Sequence, residues 1–180
     1  TSALAGLNTT NLAALTSTQI SALSSTQVKA LTTTQVPKLT TTQMEGLTGD
    51  QIGAMSSSQF GVLTTTQFGS LTSTTVSGLT TTQVKGLTSS SIATLSTTQI
   101  GGMTSTQIAA FSPSQSLALT STNINALTTE QIAGFSTTAI GVMNSTQIAG
   151  LTSTQIGAFT TGQAGALKST ALATLTTTQL

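Results

Sequence analysis

Residues 151–158 read Leu-Thr-Ser-Thr-Gln-Ile-Gly-Ala, and this eight-residue unit, or octad, is repeated along the whole chain. A large apolar residue returns every eight positions from Leu7 to Leu175, 22 times, without an insertion or a deletion. It is Leu in most octads and Met or Phe in six of them: Met55, Met103, Met143, Phe111, Phe135 and Phe159. A fixed short period indicates a solenoid, in which no unit folds alone and neighbouring units share one core.

Four places recur in each octad, and we name them by their residues. The anchor place holds the large apolar residue, and the cap place after it is Ser, Thr or Asn in 21 of 22 octads. The glutamine place follows three residues later and is Gln in 16 of 22 octads, and the staple place after it is mostly Ile or Val. Ser/Thr-x-x-Gln is the capping box of a helix start, and flanking apolar residues form a hydrophobic staple. Each octad therefore predicts a short helix that begins after its cap place.

One continuous helix does not fit this period. Eight residues at about 100° each exceed two helical turns by roughly 80°, so the apolar stripe would wind around the helix. The chain must turn at every octad, and the small Ala and Gly residues at the end of most octads predict a tight exit from each helix. We therefore predict a superhelix of very short capped helices, one per eight residues, as a single array over residues 1–180.

A β-solenoid is the alternative fold. Thr, Ile and Val favour strands, and two octads could form one coil of about sixteen residues. The anchor and staple places are five residues apart, however, so on a regular strand they would face opposite sides. The helical superhelix is favoured because the capping box explains both polar places.

The glutamine place never holds Glu, although Glu suits a helix N-terminus well. We therefore predict that the Gln carboxamide is desolvated and bonds between neighbouring units, donating as well as accepting hydrogen bonds. A carboxylate in each octad would create a row of like charges, which is costly. The predicted glutamine row consists of Gln19, Gln27, Gln35, Gln43, Gln51, Gln59, Gln67, Gln83, Gln99, Gln107, Gln131, Gln147 and Gln155.

Two octads depart from the pattern at the staple place. Ser116 occupies this place and Leu117 follows it, which suggests that the apolar residue has slipped by one position. Ala164 underfills the same place in the octad of Phe159, whose larger ring could compensate for the lost volume.

Composition argues against most chemical functions. Only 4% of residues are charged, the net charge is +1, and Arg, His, Cys, Tyr and Trp are absent. The usual general bases, thiol nucleophiles and zinc ligands are therefore missing, and we expect no enzyme activity, cofactor or metal. Nucleic-acid binding lacks both a basic stripe and a stacking platform. No apolar run approaches the roughly 20 residues that span a bilayer.

Both ends of the sequence carry ordinary octads rather than the atypical repeats that cap a solenoid. We therefore expect residues 1–180 to be a window of a longer array.

The octads resemble tandem repeats of very large secreted or surface proteins of bacteria, which are described as adhesin-like or haem-utilisation-like. This resemblance covers essentially the whole chain and implies an extracellular or cell-surface stalk, fibre or adhesive scaffold. The haem association is not carried over, because His and Tyr are absent and the few Met residues lie at core places.

The expected function is therefore structural. The low charge opposes self-association only weakly, so we expect end-to-end or lateral contacts between copies, and contact with a surface or polysaccharide is an additional expectation. The alternative function belongs to the β-solenoid, whose flat arrays of Thr could bind ice or polysaccharide.

Overall fold

The computed structural model of the chain describes residues 6–179. Over that range it contains twenty short α-helices, one 3₁₀ helix and no strand. The α-helices are α1 Thr9–Ala13, α2 Ser17–Ser21, α3 Ser25–Lys29, α4 Thr41–Glu45, α5 Gly49–Ala54, α6 Ser57–Gly61, α7 Thr65–Gly69, α8 Ser73–Ser77, α9 Thr81–Gly86, α10 Ser89–Ala93, α11 Thr97–Gly101, α12 Ser105–Ala109, α13 Pro113–Ala118, α14 Ser121–Asn125, α15 Thr129–Gly134, α16 Thr137–Val142, α17 Ser145–Ala149, α18 Ser153–Gly157, α19 Thr161–Ala166 and α20 Ser169–Leu172. The predicted helical solenoid is confirmed, and the β-solenoid alternative is wrong.

The capping box starts most of these helices. In α9 the Gln83 amide donates to the Thr80 hydroxyl at 3.2 Å, and the Thr80 amide donates to the Gln83 side-chain oxygen at 2.9 Å. These two bonds satisfy backbone donors that a helix start leaves without intrahelical partners. The residue after α9, Leu87, has returned to an extended conformation, so the next octad begins a new helix.

One octad forms a 3₁₀ helix instead, at Val36–Lys38. Pro37 has no amide hydrogen to donate within an α-helix, and it disfavours the α-conformation of the residue before it. The Thr32 amide nevertheless donates to the Gln35 side chain at 2.8 Å, so this octad keeps its capping bond without the α-helix.

Helices pack on one another across octads rather than along the chain. Most helices contact the helix three octads upstream, as α5 contacts α3 and α9 contacts α6. Side-chain bonds also reach the end of the helix four octads upstream, as Gln51 in α5 reaches Ile20 in α2. One turn of the superhelix therefore takes between three and four octads.

The core runs along the inside of this superhelix. Staple residues such as Val84 and Ile100 are fully buried, and anchors such as Leu87 are 4% exposed. Ser116 is fully buried and Leu117 is 47% exposed, so the apolar residue has not slipped into the core. The capping box of Ser112 and Gln115 sets the helix register, and this register directs position 116 inward whatever residue occupies it.

The glycines at octad ends are explained by close packing between turns and not by the predicted tight exit from each helix. No glycine in the described part of the chain has a positive φ, so none is needed for a left-handed helix exit. Gly134 instead approaches the octad three units upstream so closely that a Cβ would lie 2.7 Å from the Ser105 carbonyl oxygen. A Cβ on Gly86 would clash with the Ser57 backbone in the same way. Glycine at these two positions allows close packing between turns.

Candidate functional site: the glutamine row

Each carboxamide of the glutamine row can join two turns of the superhelix. The Gln83 side-chain oxygen accepts from the Thr80 amide at the start of its own helix. Its nitrogen donates to the carbonyl oxygens of Ile52 at 2.9 Å, Gly53 at 3.2 Å and Met55 at 2.9 Å. These three oxygens belong to the end of α5 and the anchor after it. One side chain thus links the start of a helix to the end of the helix four octads upstream.

Eleven of the thirteen predicted residues make this cross-turn bond. Their side-chain nitrogens lie 2.5–2.9 Å from the carbonyl oxygen of the anchor 28 residues upstream. The same residues are only 2–4% exposed. They are Gln35, Gln43, Gln51, Gln59, Gln67, Gln83, Gln99, Gln107, Gln131, Gln147 and Gln155. The units joined are neighbours in space, three to four octads apart, and not neighbours along the chain.

Gln19 and Gln27 differ from the rest of the row. Gln19 is exposed and Gln27 is half-buried, so the expected desolvation does not hold for them. Both keep the capping bond, with distances of 2.9 Å to Thr16 and 2.8 Å to Ser24. For both residues, the carbonyl 28 positions upstream lies outside residues 6–179, the range that the structure describes.

Four further residues make the same cross-turn bond but were not in the predicted row. Gln115, Gln163 and Gln179 donate to the carbonyls of Leu87, Phe135 and Leu151 at 2.6–2.7 Å. Asn123 does so with its shorter carboxamide, 2.8 Å from the Leu95 carbonyl. All four occupy the glutamine place, so their position in the octad was sufficient to identify them.

Four octads have no carboxamide at the glutamine place although a suitable anchor lies 28 residues upstream. The residues there are Thr75, Ser91, Ala139 and Ala171. The corresponding anchor carbonyls belong to Leu47, Leu63, Phe111 and Met143. Among the hydrogen bonds of residues 6–179, none has one of these four carbonyls as its acceptor.

The chemistry of the row is that of neutral hydrogen bonding. All seven charged residues of the chain are exposed, and none occupies an anchor, glutamine or staple place. Residues 6–179 contain no group of three or more His, Cys, Asp or Glu residues that could hold a metal ion. Within the same range, no helix has the length and apolar character that crossing a membrane requires.

Comparison with known families identifies the octads. The sequence profile of the ALTTAQ repeat matches residues 1–33, 25–57, 76–113 and 124–161. A comparison with curated proteins finds no match. The matched segments cover more than half of the chain and contain most of the capping boxes and most of the glutamine row. The chain therefore belongs to the ALTTAQ repeat family.

Proposed function

We propose that this array is a structural scaffold without catalytic activity, which serves as an extracellular fibre or an adhesin stalk. The observation that carries the proposal is the cross-turn bond of the glutamine row, which recurs through most of the array. A buried core and a repeated row of inter-turn hydrogen bonds suit a stiff rod, because each turn is fixed to the one before it.

This proposal makes the glutamine row the part of the molecule that resists extension. Pulling the two ends apart separates successive turns, so it loads the bonds between each side-chain nitrogen and the upstream carbonyls. Breaking one such bond also leaves a buried carbonyl unsatisfied, at a cost of about 1–3 kcal/mol.

Single-molecule force spectroscopy tests this role. We expect the double variant Gln83→Ala/Gln107→Ala to unfold at a lower force than the native chain. The matched control is Gln19→Ala/Gln27→Ala, which removes two capping bonds but no cross-turn bond. Equal unfolding forces for the two double variants would contradict a mechanical role of the glutamine row.

We base the proposed extracellular location on the resemblance of the octads to bacterial surface repeats. Protease treatment of intact cells that make the protein tests it directly. We expect antibody-detected full-length protein to disappear while a cytoplasmic marker survives. Protection of both proteins would refute a surface location.

We also propose that copies of the array associate end to end or laterally, because only 4% of the residues are charged and little repulsion opposes contact between copies. In sedimentation velocity, the average mass should rise with protein concentration. A constant monomer mass would contradict this proposal.

A further inference from the structure

The cross-turn bonds are spread unevenly along the array. Of any three consecutive octads between Gln35 and Gln179, at least two carry a carboxamide at the glutamine place, with one exception. The exception is residues 71–94, whose glutamine places hold Thr75, Gln83 and Ser91. Because one turn of the superhelix takes three to four octads, we name these residues the sparsely linked turn. Gln83 is its only carboxamide, and it donates to the turn before it.

The hydroxyl groups of Thr75 and Ser91 bond within their own octads. The Thr75 hydroxyl lies 2.9 Å from the Thr72 hydroxyl, and the Ser91 hydroxyl lies 2.9 Å from the Thr88 hydroxyl. Both helices therefore have a side-chain bond at their starts, as the other octads do. What they lack is the length of glutamine, because a hydroxyl attached to Cβ does not extend to the carbonyls of the upstream turn.

The helix that accepts the Gln83 bonds is itself weak. Two of the six residues of α5 are glycines, Gly49 and Gly53. A Cβ on either would meet no atom within 4 Å, so neither position needs glycine for packing. Glycine within a helix lowers its stability relative to alanine. A single carboxamide thus links the sparsely linked turn to a helix of low intrinsic stability.

The closest backbone packing at this interface lies in the same octad as Gln83. Both Gln83 and Gly86 belong to α9, and a Cβ on Gly86 would clash with the backbone of Ser57 in the preceding turn. The cross-turn bond and the close packing therefore depend on one octad, and the octads on either side contribute no carboxamide.

We propose that the array opens first under load at the sparsely linked turn, with Gln83 setting the force at which it opens. This inference rests on the proposed function as a scaffold under tension. In a stacked array, stability depends on the interfaces between neighbouring units, so opening begins at the interface that is held least strongly. Opening there lengthens the rod while the other turns stay folded, which makes the array extensible at a defined place.

Force spectroscopy on Gln83→Ala and Gln115→Ala tests this order of opening. Both glutamines are buried, start their helices with a capping box and donate to the upstream turn. Gln115, however, has Gln107 and Asn123 on either side, and both of these also donate upstream. We expect Gln83→Ala to lower the force of the first opening event and Gln115→Ala to leave it unchanged, because opening starts elsewhere.

The outcomes separate this inference from the proposed function. Equal lowering by both substitutions would overturn the inference, while the mechanical role of the glutamine row would stand. A first opening force that neither substitution changes would contradict both.

Amide hydrogen exchange followed by NMR locates the opening without load. Each staple amide compared here donates to the carbonyl of the cap place in its own octad. We expect the amides of Val76, Val84 and Ile92 to be protected about tenfold less than those of Ile108 and Ile124. Equal protection of the two groups would overturn the inference.

Thr75→Gln tests the same interface by adding a bond, so it does not depend on the folding of Gln83→Ala. Thr75 is half-buried, and a glutamine there can extend toward the Leu47 carbonyl 28 residues upstream. We expect the protection of the Val76 amide to rise about tenfold. Thr74→Gln is the matched control, because Thr74 is exposed and does not occupy the glutamine place. Equal effects of the two substitutions would refute the role of the missing carboxamide.

Discussion

At the scale of single residues, glutamine is suited to its place because a primary carboxamide both accepts and donates hydrogen bonds. The Gln83 oxygen accepts from the Thr80 amide, and its nitrogen faces three carbonyl oxygens 28–31 residues upstream. An ionised glutamate could make the first bond but would place a negative charge against those three oxygens. The absence of Glu from the row follows from this second contact, and not from helix capping.

The substitution Gln83→Glu tests this account. At pH 7 the buried carboxylate has no donor from the upstream turn, so we expect a loss of about 3–5 kcal/mol in the free energy of unfolding. Burial raises the pKa of the introduced carboxyl above its value in the unfolded chain, so the loss should shrink as the pH falls toward about 4. Chemical denaturation at several pH values measures both effects.

Gln19→Glu is the matched control, because Gln19 has the same capping bond but is exposed and makes no cross-turn bond within residues 6–179. We expect its stability to stay within about 0.5 kcal/mol of the native value. Equal losses for the two substitutions would show that capping alone excludes Glu.

At the scale of elements, each octad with phenylalanine at its anchor place has an unusually small residue at its staple or glutamine place. Phe111 shares an octad with Ser116, Phe135 with Ala139, and Phe159 with Ala164. The Phe111 and Phe135 rings also meet edge to face, with centroids 6.4 Å apart. Ala164 is exposed and Phe159 is half-buried, so the expected compensation is not seen in that octad. Phe111, Ser116, Phe135 and Ala139 are all buried, which supports the replacement of lost volume by the larger ring in the other two octads.

A double-mutant cycle tests this compensation. Phe111→Leu should destabilise the native chain by about 1–2 kcal/mol by opening a cavity, but should cost much less in a Ser116→Ile background, where the isoleucine fills that space. Ser116→Ile also removes a buried hydroxyl that lacks a hydrogen-bond partner. Additive effects of the two substitutions would mean that the residues do not share a cavity.

The elements were predictable from the sequence to the extent that they depend on local contacts. The capping box spans four residues, so it could be identified within each octad and gave the start of most helices. Pro37 alone does not show whether its octad forms an α-helix or a 3₁₀ helix. The apolarity of Leu117 wrongly predicts a core position, because the register that Ser112 and Gln115 impose decides which position faces inward.

At the scale of the whole molecule, the 28-residue reach of the glutamine row could not be predicted. It depends on the angle between successive helices, which is set by packing over several octads and not by any one motif. The absence of Glu from the sequence indicates that the glutamine place needs a neutral carboxamide. Only the fold shows which carbonyl oxygens that carboxamide contacts. The acceptor of each cross-turn bond is the backbone carbonyl of an anchor. The bond therefore does not depend on which side chain the anchor carries.

Deleting one complete octad should therefore be tolerated. Removal of residues 95–102 leaves every later octad facing an equivalent octad upstream, and we expect a change of no more than about 5 °C in the unfolding midpoint. Removal of the half-octad 99–102 instead places the glutamines that pair across the deletion 28 residues after a glutamine place and not after an anchor, which should abolish cooperative unfolding. Circular dichroism during heating distinguishes the two variants, and equal behaviour would refute register-dependent pairing.

The cross-turn bonds all have the same polarity, with the donor on the later turn and the acceptor on the earlier one. A nascent chain emerges N-terminus first, so each new glutamine meets carbonyls that are already in place. We therefore expect vectorial folding during synthesis, in which the growing array acts as the template for its next octad. Arrest-peptide measurements on nascent chains should show folding force recurring about every eight residues once the first turn is complete. A single late folding event would contradict this order.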